Sequence, residues 1–391
     1  MTAARDDSLL ATKLVVFVFA GEVLGGAERG ALDLARDLRA DYGASVHVCA
    51  LDDRPGRARR VATDYGIPWT CAQVPWRGSR ARKVASLARF ATHVRRLRPD
   101  VLVSVTNLPN VVCGLTWRAT GAALDVWTQN DVLGSTRLGD RLFRRSLQSA
   151  SVVAVGALHG RDWLVQQFGV DSDRVHVLPG VVELPPPREG REVWRKRLGV
   201  DAEDLAVSML AHFHSGKDHA TLLRAWRIVA DALAAEGPRP VLLLAGRNAG
   251  TEEKVKALAF DLDLRAHIRF AGEVDDVHGL LRASELAVLS SRSEMLPQAV
   301  TEPMAAGLAV AGTDVPGIRQ AVGESEVAYL APPGDAPALA ERLLVLARDP
   351  ELRARLGAAN AELIRSRQSV EATSRVYASL LSHELTRRTS P

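Results

Sequence analysis

The chain has 391 residues, 47% hydrophobic and 25% charged, a balance that excludes a disordered or fibrous protein. No apolar run approaches the roughly 20 residues of a membrane span. The net charge of +4 divides unevenly, +6 over residues 1–184 and −2 over the rest. Length alone suggests two or three domains. The cysteines, Cys49, Cys71 and Cys113, are odd in number, widely spaced and free of any C-x-x-C, which argues against a disulfide framework or a structural zinc site. The early apolar run at 14–20 follows Asp6 and Asp7 rather than a basic segment, unlike a signal peptide. A reduced, cytoplasmic compartment is the expectation.

Taken in chain order, the apolar runs predict strands at 14–20, 45–50, 101–105, 125–128 and 152–155, with a glycine turn after the first and helices at 28–40 and 83–97. The second half repeats this grammar. It predicts strands at 206–211, 241–245, 268–270, 286–289 and 309–311, and helices at 221–233, 252–262, 297–306, 337–347 and 350–365. Short continuous apolar strands alternating with amphipathic helices imply parallel sheets covered on both faces. The fold class is therefore α/β, two doubly wound Rossmann-like domains facing across a cleft. Pro185, Pro186 and Pro187 stiffen the best linker in the chain. The expected domains are residues 1–184 and 185–370. Residues 371–391 form a final helical segment, within a helix at 369–388, that packs back on the first domain. The cleft between the domains is the default ligand site.

No G-x-x-x-x-G-K-[ST] occurs, and the first glycine turn, residues 21–28, is not G-x-G-x-x-G, so P-loop and dinucleotide chemistry are disfavoured. Gly25 and Gly26 still allow close backbone approach to a ligand at a helix N-terminus; a plain tight turn is the equal alternative. Glu294 and Glu302 lie eight apart, a spacing that chance produces about once with 20 glutamates, so context decides. Glu294 follows a strand and its loop, Pro297 opens a helix, and Glu302 falls on that helix's second turn. Carboxylates at two heights suit the hydroxyls of a sugar and of a ribose. The plainer alternative is two solvated acids.

The run Ser290-Ser291-Arg292-Ser293-Glu294-Met295-Leu296-Pro297, continuing through Glu302-Pro303-Met304-Ala305-Ala306-Gly307 to Gly312-Thr313-Asp314, resembles the donor-site signature of glycosyltransferase family 4. That family comprises retaining nucleotide-sugar enzymes of the GT-B fold. Phe270-Ala271-Gly272-Glu273-Val274 resembles its base-contacting turn, and Gly25-Gly26-Ala27-Glu28 its G-G-x-E. The resemblance implies that Glu294 holds donor-sugar hydroxyls, that Glu302 holds the ribose, and that Lys217 binds the diphosphate. Val274 would meet the base, and Met295, Leu296 and Pro297 would line the donor loop. The implied donor is a nucleotide-diphosphate sugar, with no permanently bound cofactor and no metal. A fixed ammonium and glycine-turn N–H groups would stabilise the charge gathering on the leaving diphosphate. The proton of the acceptor would pass to the donor's own phosphate oxygen.

Several positions depart from the pattern. His212 stands where an arginine is usual, and Met295 where a glycine is usual. No histidine follows the strand at 125–128; Gln129 or Asn130 would donate to sugar or acceptor there, and Asp131 is a candidate base. The asparagine of the usual P-N-G-V-D is absent from Pro179-Gly180-Val181-Val182-Glu183.

Residues 54–98 carry 12 basic side chains against one acid, Asp64, with Trp69, Trp76 and Phe90 interleaved. This composition suits an anionic membrane surface at the inner face, or a lipid-linked acceptor, as well as a solvated arginine-rich face. Nucleic acid is not the expected partner. The leading expectation is a retaining glycosyltransferase acting on a glycan, lipid-linked or small-molecule acceptor. The alternatives are a nucleotide-sugar epimerase and a non-catalytic partner subunit that keeps the fold.

Overall fold

In the computed structural model, strand β1 (Leu14–Phe19) is apolar at every position and buried along its length, because both faces of its sheet are covered. The structure describes residues 9–22, 24–54, 56–76, 78–129, 140–178, 180–234 and 236–389. Asn130 and Asp131 thus lie outside the described residues, as do Arg77 and Pro179. The described residues fall into two units, one running to Val181 and resuming at Arg367, the other spanning Val182–Ser366. The division falls just ahead of the proline run.

In the first unit β1 is followed by α1 (Gly26–Tyr42), β2 (Ser45–Ala50), α2 (Arg57–Asp64), β3 (Trp69–Cys71), α3 (Arg80–Leu97), β4 (Val101–Val105), α4 (Asn107–Thr120), β5 (Leu124–Gln129), α5 (Asp140–Ser149), β6 (Val152–Val155), α6 (Leu158–Phe168) and β7 (Val175–Val177). The seven strands are parallel in the order β3-β2-β1-β4-β5-β6-β7. The order reverses between β1 and β4, the switch point at which such sheets open a crevice beyond their strand ends. Val15, Phe17 and Phe19 point to one face with Leu32 and Leu38 of α1, whereas Val16 and Val18 point to the other with Phe90 and Val94 of α3.

Two details of α1 and α4 follow from glycine. Gly43 closes α1 at φ 68°, the left-handed geometry of a helix C-terminus. Gly114 lets α4 lie against α5, since a Cβ there would come within 2.4 Å of the Ser146 carbonyl oxygen. Asp125 is the anomaly of this core. It is fully buried, neither carboxylate oxygen has a partner among the described residues, and burial pushes its pKa up to about 8.

The second unit runs α7 (Arg191–Leu198), β8 (Leu205–Leu210), α8 (His219–Leu233), β9 (Pro240–Ala245), α9 (Glu252–Asp261), β10 (Ile268–Gly272), α10 (Val277–Arg282), β11 (Leu286–Leu289), α11 (Gln298–Ala305), β12 (Val310–Thr313), α12 (Pro316–Glu326), β13 (Leu330–Ala331), α13 (Ala336–Arg348) and α14 (Pro350–Arg367). Its six strands take the order β10-β9-β8-β11-β12-β13, again all parallel, with the switch between β8 and β11. The last helix, α15 (Val370–Thr389), belongs to the first unit. Its Ala378, Leu381 and Leu385 are buried in the same cluster as Leu32 and Leu38 of α1.

Each strand predicted from the apolar runs is present, with ends moved by one or two residues. The strands without a predicted counterpart are β3, β7 and β13, of three, three and two residues. Pairing with a longer neighbour creates them, and so short a run carries no periodicity of its own. Pro297 is not the first helical residue: it is the N-cap, with extended backbone at ψ 120°, and α11 begins at Gln298. No helix among the described residues is long and apolar enough to cross a membrane.

Candidate active site

The loops leaving β8 and β11, on either side of the switch point, are joined backbone to backbone. Asp218 N donates to the Ser290 carbonyl at 2.9 Å, and Arg292 N to the Gly216 carbonyl at 3.1 Å. Lys217 and Ser291 form an isolated antiparallel bridge between them. The β12 end is tied in as well. Ser291 N donates to Thr313 Oγ1 at 2.9 Å, and that hydroxyl donates to the Ser291 carbonyl at 2.7 Å. Three neighbouring strand ends are thereby fixed relative to one another.

This frame brings Lys217 and Glu294 together. The Lys217 ammonium donates to Glu294 Oε1, and the Ser291 hydroxyl donates to the same oxygen. Both side chains are mostly buried, 15% and 12% exposed, so the pair is shielded from water's screening. Gly317, near the start of α12, closes the frame from the far side: a Cβ on it would lie 2.4 Å from the carbonyl oxygens of both Glu294 and Met295. Met295 itself is buried, and Leu296 packs against the core of this unit. Glu302 lies half-buried on the second turn of α11.

His212, at the end of β8, accepts the Arg247 backbone N–H at Nδ1, 3.1 Å away. A ring nitrogen that accepts carries no proton, so the imidazole is neutral and its Nε2 bears the N–H. Crowding of the ring by neighbouring atoms, ahead of the charge of Arg247, holds its pKa below the usual histidine range. Glu273, His214 and Lys217 act on it electrostatically too. His212 is therefore a neutral donor where a guanidinium fork was usual. Phe213 points inward, stacked on His219 at 4.7 Å between ring centres. Burial pushes the pKa of His219 down to about 4. Gly272, the last residue of β10, turns at φ 70°, and Val274 packs against the core under α7 and α10.

In the first unit, Gly25 N donates to Glu28 Oε2 at 3.0 Å, so a carboxylate of this chain already caps α1. Gly26 is the first residue of that helix. Gln129 ends β5, is buried, and accepts the Trp127 indole N–H at Oε1, 3.1 Å away. Ser291 and Thr313 stand inside the donor-site run quoted from the sequence but were given no role there, and Arg247 was not singled out at all. Arg247 follows a different strand, and only the order β9-β8 in the sheet places it beside His212.

Two Rossmann-like units, each built on an all-parallel doubly wound sheet, are the architecture of the GT-B fold. The Glycosyl transferases group 1 family matches residues 190–363, and Glycosyltransferase Family 4 matches residues 24–184. The chain belongs to this family of GT-B glycosyltransferases. It is 30% identical over 177 residues to the Bacillus subtilis putative glycosyltransferase EpsF, covering 44% of each chain. It is 27% identical over 365 residues to the phosphatidyl-myo-inositol mannosyltransferase of Mycolicibacterium smegmatis, covering 87% of this chain and 86% of that one. Among solved structures, Anabaena Alr3699/HepE in complex with UDP and glucose superposes with a TM-score of 0.80 at 20% identity, over 95% of this chain and 100% of that chain. That likeness shows the shared fold. The chain spans about half the length, or less, of EpsF and EpsD, the latter aligned over 49% of its length.

Proposed function

We propose that the protein is a retaining glycosyltransferase that moves a sugar from a nucleotide-diphosphate sugar to an acceptor hydroxyl. The observation that carries this reading is the Lys217–Glu294 pair at the β8–β11 switch point. In it a cation for the diphosphate and a carboxylate for sugar hydroxyls are held at fixed separation. On this reading Lys217 stabilises the charge that accumulates as the glycosidic C–O bond breaks. His212 adds one neutral N–H to a phosphate oxygen. Glu294 orients the sugar, Glu302 holds the ribose, and the turn at Gly272–Val274 meets the base. The loop backbone at Met295, Leu296 and Pro297 borders the donor. Gly25 and Gly26, with Gln129 and Asn130, serve the donor or acceptor from the first unit.

The acceptor oxygen attacks the anomeric carbon from the face that the diphosphate leaves, and its proton passes to the departing phosphate oxygen. Configuration is kept without an enzymic nucleophile. The mannosyltransferase relative acts on phosphatidyl-myo-inositol by name. That name and the basic stretch at 54–98 support a lipid-linked acceptor at an anionic membrane surface as the first acceptor class to test. UDP, present in the HepE complex, comes first among the nucleotides.

The test is thermal stabilisation by UDP, GDP, ADP, CDP and dTDP, on the wild type and on Glu302→Ala. A nucleotide at 100 times its dissociation constant adds about 2.7 kcal/mol of stability. The expected result is stabilisation by one nucleotide, mostly lost in the variant, followed by transfer from the matching sugar donor. Stabilisation by none of them overturns the reading. Binding without turnover on any acceptor favours the non-catalytic subunit.

A further inference from the structure

Helix α3 buries Ser86, Phe90, Ala91 and Val94, with Leu87 and Leu97 partly buried beside them, and exposes Arg89, Thr92, Arg95 and Arg96. Between that helix and the exit of β3 lies a cavity of about 380 Å³, lined by Arg89, Thr92, His93 and Arg96 on the helix side and by Cys71 and Gln73 on the strand side. It sits at the edge of the first unit's sheet, because β3 is the outermost strand and two places from β1. It is therefore separate from the β1–β4 switch point.

The charges of this cavity are one-sided. No acid lines it. Arg89 reaches only the Gln73 carbonyl, at 3.5 Å, and among the described residues neither Arg89 nor Arg96 is paired with a carboxylate. The nearest acids stand behind the lining: Asp53 accepts from Gln73 Nε2 at 2.9 Å and Asp52 from Arg54 Nε at 2.8 Å, and both act electrostatically on Cys71. The two arginines are seven positions apart on α3, hence on one face and about 10 Å apart along its axis. Long side chains at that spacing can converge on one group from both ends, and a guanidinium fork matches phosphate oxygens bidentately. His93, between them, is held by Thr70 Oγ1 at 3.1 Å from its Nε2. The volume admits a phosphate with part of the molecule that it esterifies.

We propose that this cavity is a second, non-catalytic site for a phosphate-bearing ligand, clamped by Arg89 and Arg96 at the edge of the sheet. Its chemistry is shared by a phospholipid headgroup and a soluble phosphate ester. The proposal does not rest on the donor-site reading, since no residue of that site takes part.

Cys71 supplies a local reporter. It lines the cavity and is partly exposed, whereas Cys49 and Cys113 are fully buried. The experiment measures the rate of N-ethylmaleimide labelling at Cys71, by peptide mass spectrometry, on the folded full chain at constant pH and ionic strength. One arm adds inorganic phosphate against a chloride control. The other adds phosphatidylcholine vesicles with or without phosphatidylglycerol. Each is run on the wild type and on the exposed double substitution Arg89→Ala/Arg96→Ala, checked for folding by circular dichroism.

The expected result is slower labelling of the wild type, by about fivefold when phosphate is about four times its dissociation constant, with the effect abolished in the double variant. Protection by phosphate but not by phosphatidylglycerol vesicles identifies a soluble ester site, and protection by both identifies a headgroup site. Protection only by phosphatidylglycerol vesicles identifies a headgroup site. Labelling rates that neither addition changes, or protection that persists in the double variant, overturn the proposal. Lys217→Ala, which disables the donor-site cation, should leave the protection intact.

Discussion

The Lys217 ammonium is bonded to Glu294 Oε1, although the two residues are 77 positions apart in the chain. The loops that carry them leave adjacent parallel strands at the one place in the sheet where strand order reverses. The pair has an asymmetric consequence. On the proposed reading, removing Lys217 takes away a charge-assisted hydrogen bond to the diphosphate, an expected loss of about 1.5–3 kcal/mol, or roughly 10- to 150-fold in affinity. Removing the charge of Glu294 leaves a mostly buried ammonium without its counter-ion, and therefore hungrier for phosphate. Lys217→Ala should weaken nucleoside diphosphate binding. Glu294→Gln should tighten it by a few-fold while cutting transfer by at least about 100-fold. Titration calorimetry with the nucleotide selected by thermal stabilisation, beside initial rates of transfer, separates the two. Weakening by both variants alike would contradict opposed roles.

The longer strands of both units were legible because each is a largely continuous apolar run, whereas helices α2, α4, α5, α6, α7, α10 and α12 had no predicted counterpart. Val101–Val105 and Leu286–Leu289 read the same in sequence and structure. Edge strands such as β3 escaped notice because three residues cannot show a period. In the site, Glu294, Glu302 and Lys217 could be singled out from their motif. Ser291 and Thr313 stood in that motif without a role, and Arg247 stood outside it. Thr313 and Ser291 meet across two strand ends, and Arg247 reaches His212 only because β9 lies beside β8. Spacing along the chain carries no trace of such neighbours. The final helix was expected to pack back on the first domain; which residues share its cluster, Leu32 and Leu38 among them, could not be named from spacing.

His212 should behave as a neutral donor in the working range of the enzyme. Its pKa is depressed, first by burial of the ring and then by Arg247, so the imidazole gains a proton only below the ordinary histidine range. Nucleoside diphosphate affinity should then stay level from about pH 6.5 to 8.5 and rise only on further acidification, as a positive charge appears beside the phosphates. His212→Arg should raise affinity by about three- to tenfold and steepen its salt dependence, because a permanent fork replaces one N–H. His212→Ala should lower it by a comparable factor. Affinity titrations across pH and ionic strength test this. A titration centred near neutral pH in the wild type, absent in His212→Ala, would contradict the neutral assignment.

Gly317 makes a purely steric prediction. Its backbone is not in the left-handed region, so an alanine meets no conformational penalty of that kind. The obstacle is the pair of carbonyl oxygens at 2.4 Å from the site of the new Cβ, both backbone atoms of the Glu294–Met295 loop. Accommodating the methyl group must push that loop out of place. Gly317→Ala should cost about 1–3 kcal/mol of stability and lower transfer more than nucleotide binding. Gly190→Ala, where nothing lies within 4 Å, is the control expected to do neither. Urea unfolding and steady-state kinetics on the two variants check the contrast.

Asp125 makes the stability of the protein depend on pH in the opposite direction from an ordinary paired carboxylate. Burial without a partner raises its pKa from 3.8 to about 8, so the folded state holds a proton that the unfolded state has released. Below about pH 4 both states are protonated and the group imposes no cost. As pH rises towards 8, folding must keep a proton against increasing demand, and stability falls at up to about 1.4 kcal/mol per pH unit. Above that range the loss is complete and the dependence on this group levels off. Asp125→Asn removes the titration. At about pH 4 the variant should match the wild type or fall below it, because the amide brings N–H groups into a site with no acceptor. Near pH 8 it should be the more stable of the two, by on the order of 1–3 kcal/mol. Other titrating groups, Glu326 among them, act on both proteins equally and cancel in the difference. Urea midpoints measured at intervals across this range give that difference directly. Parallel curves for the two proteins would mean that Asp125 is solvated or paired in solution.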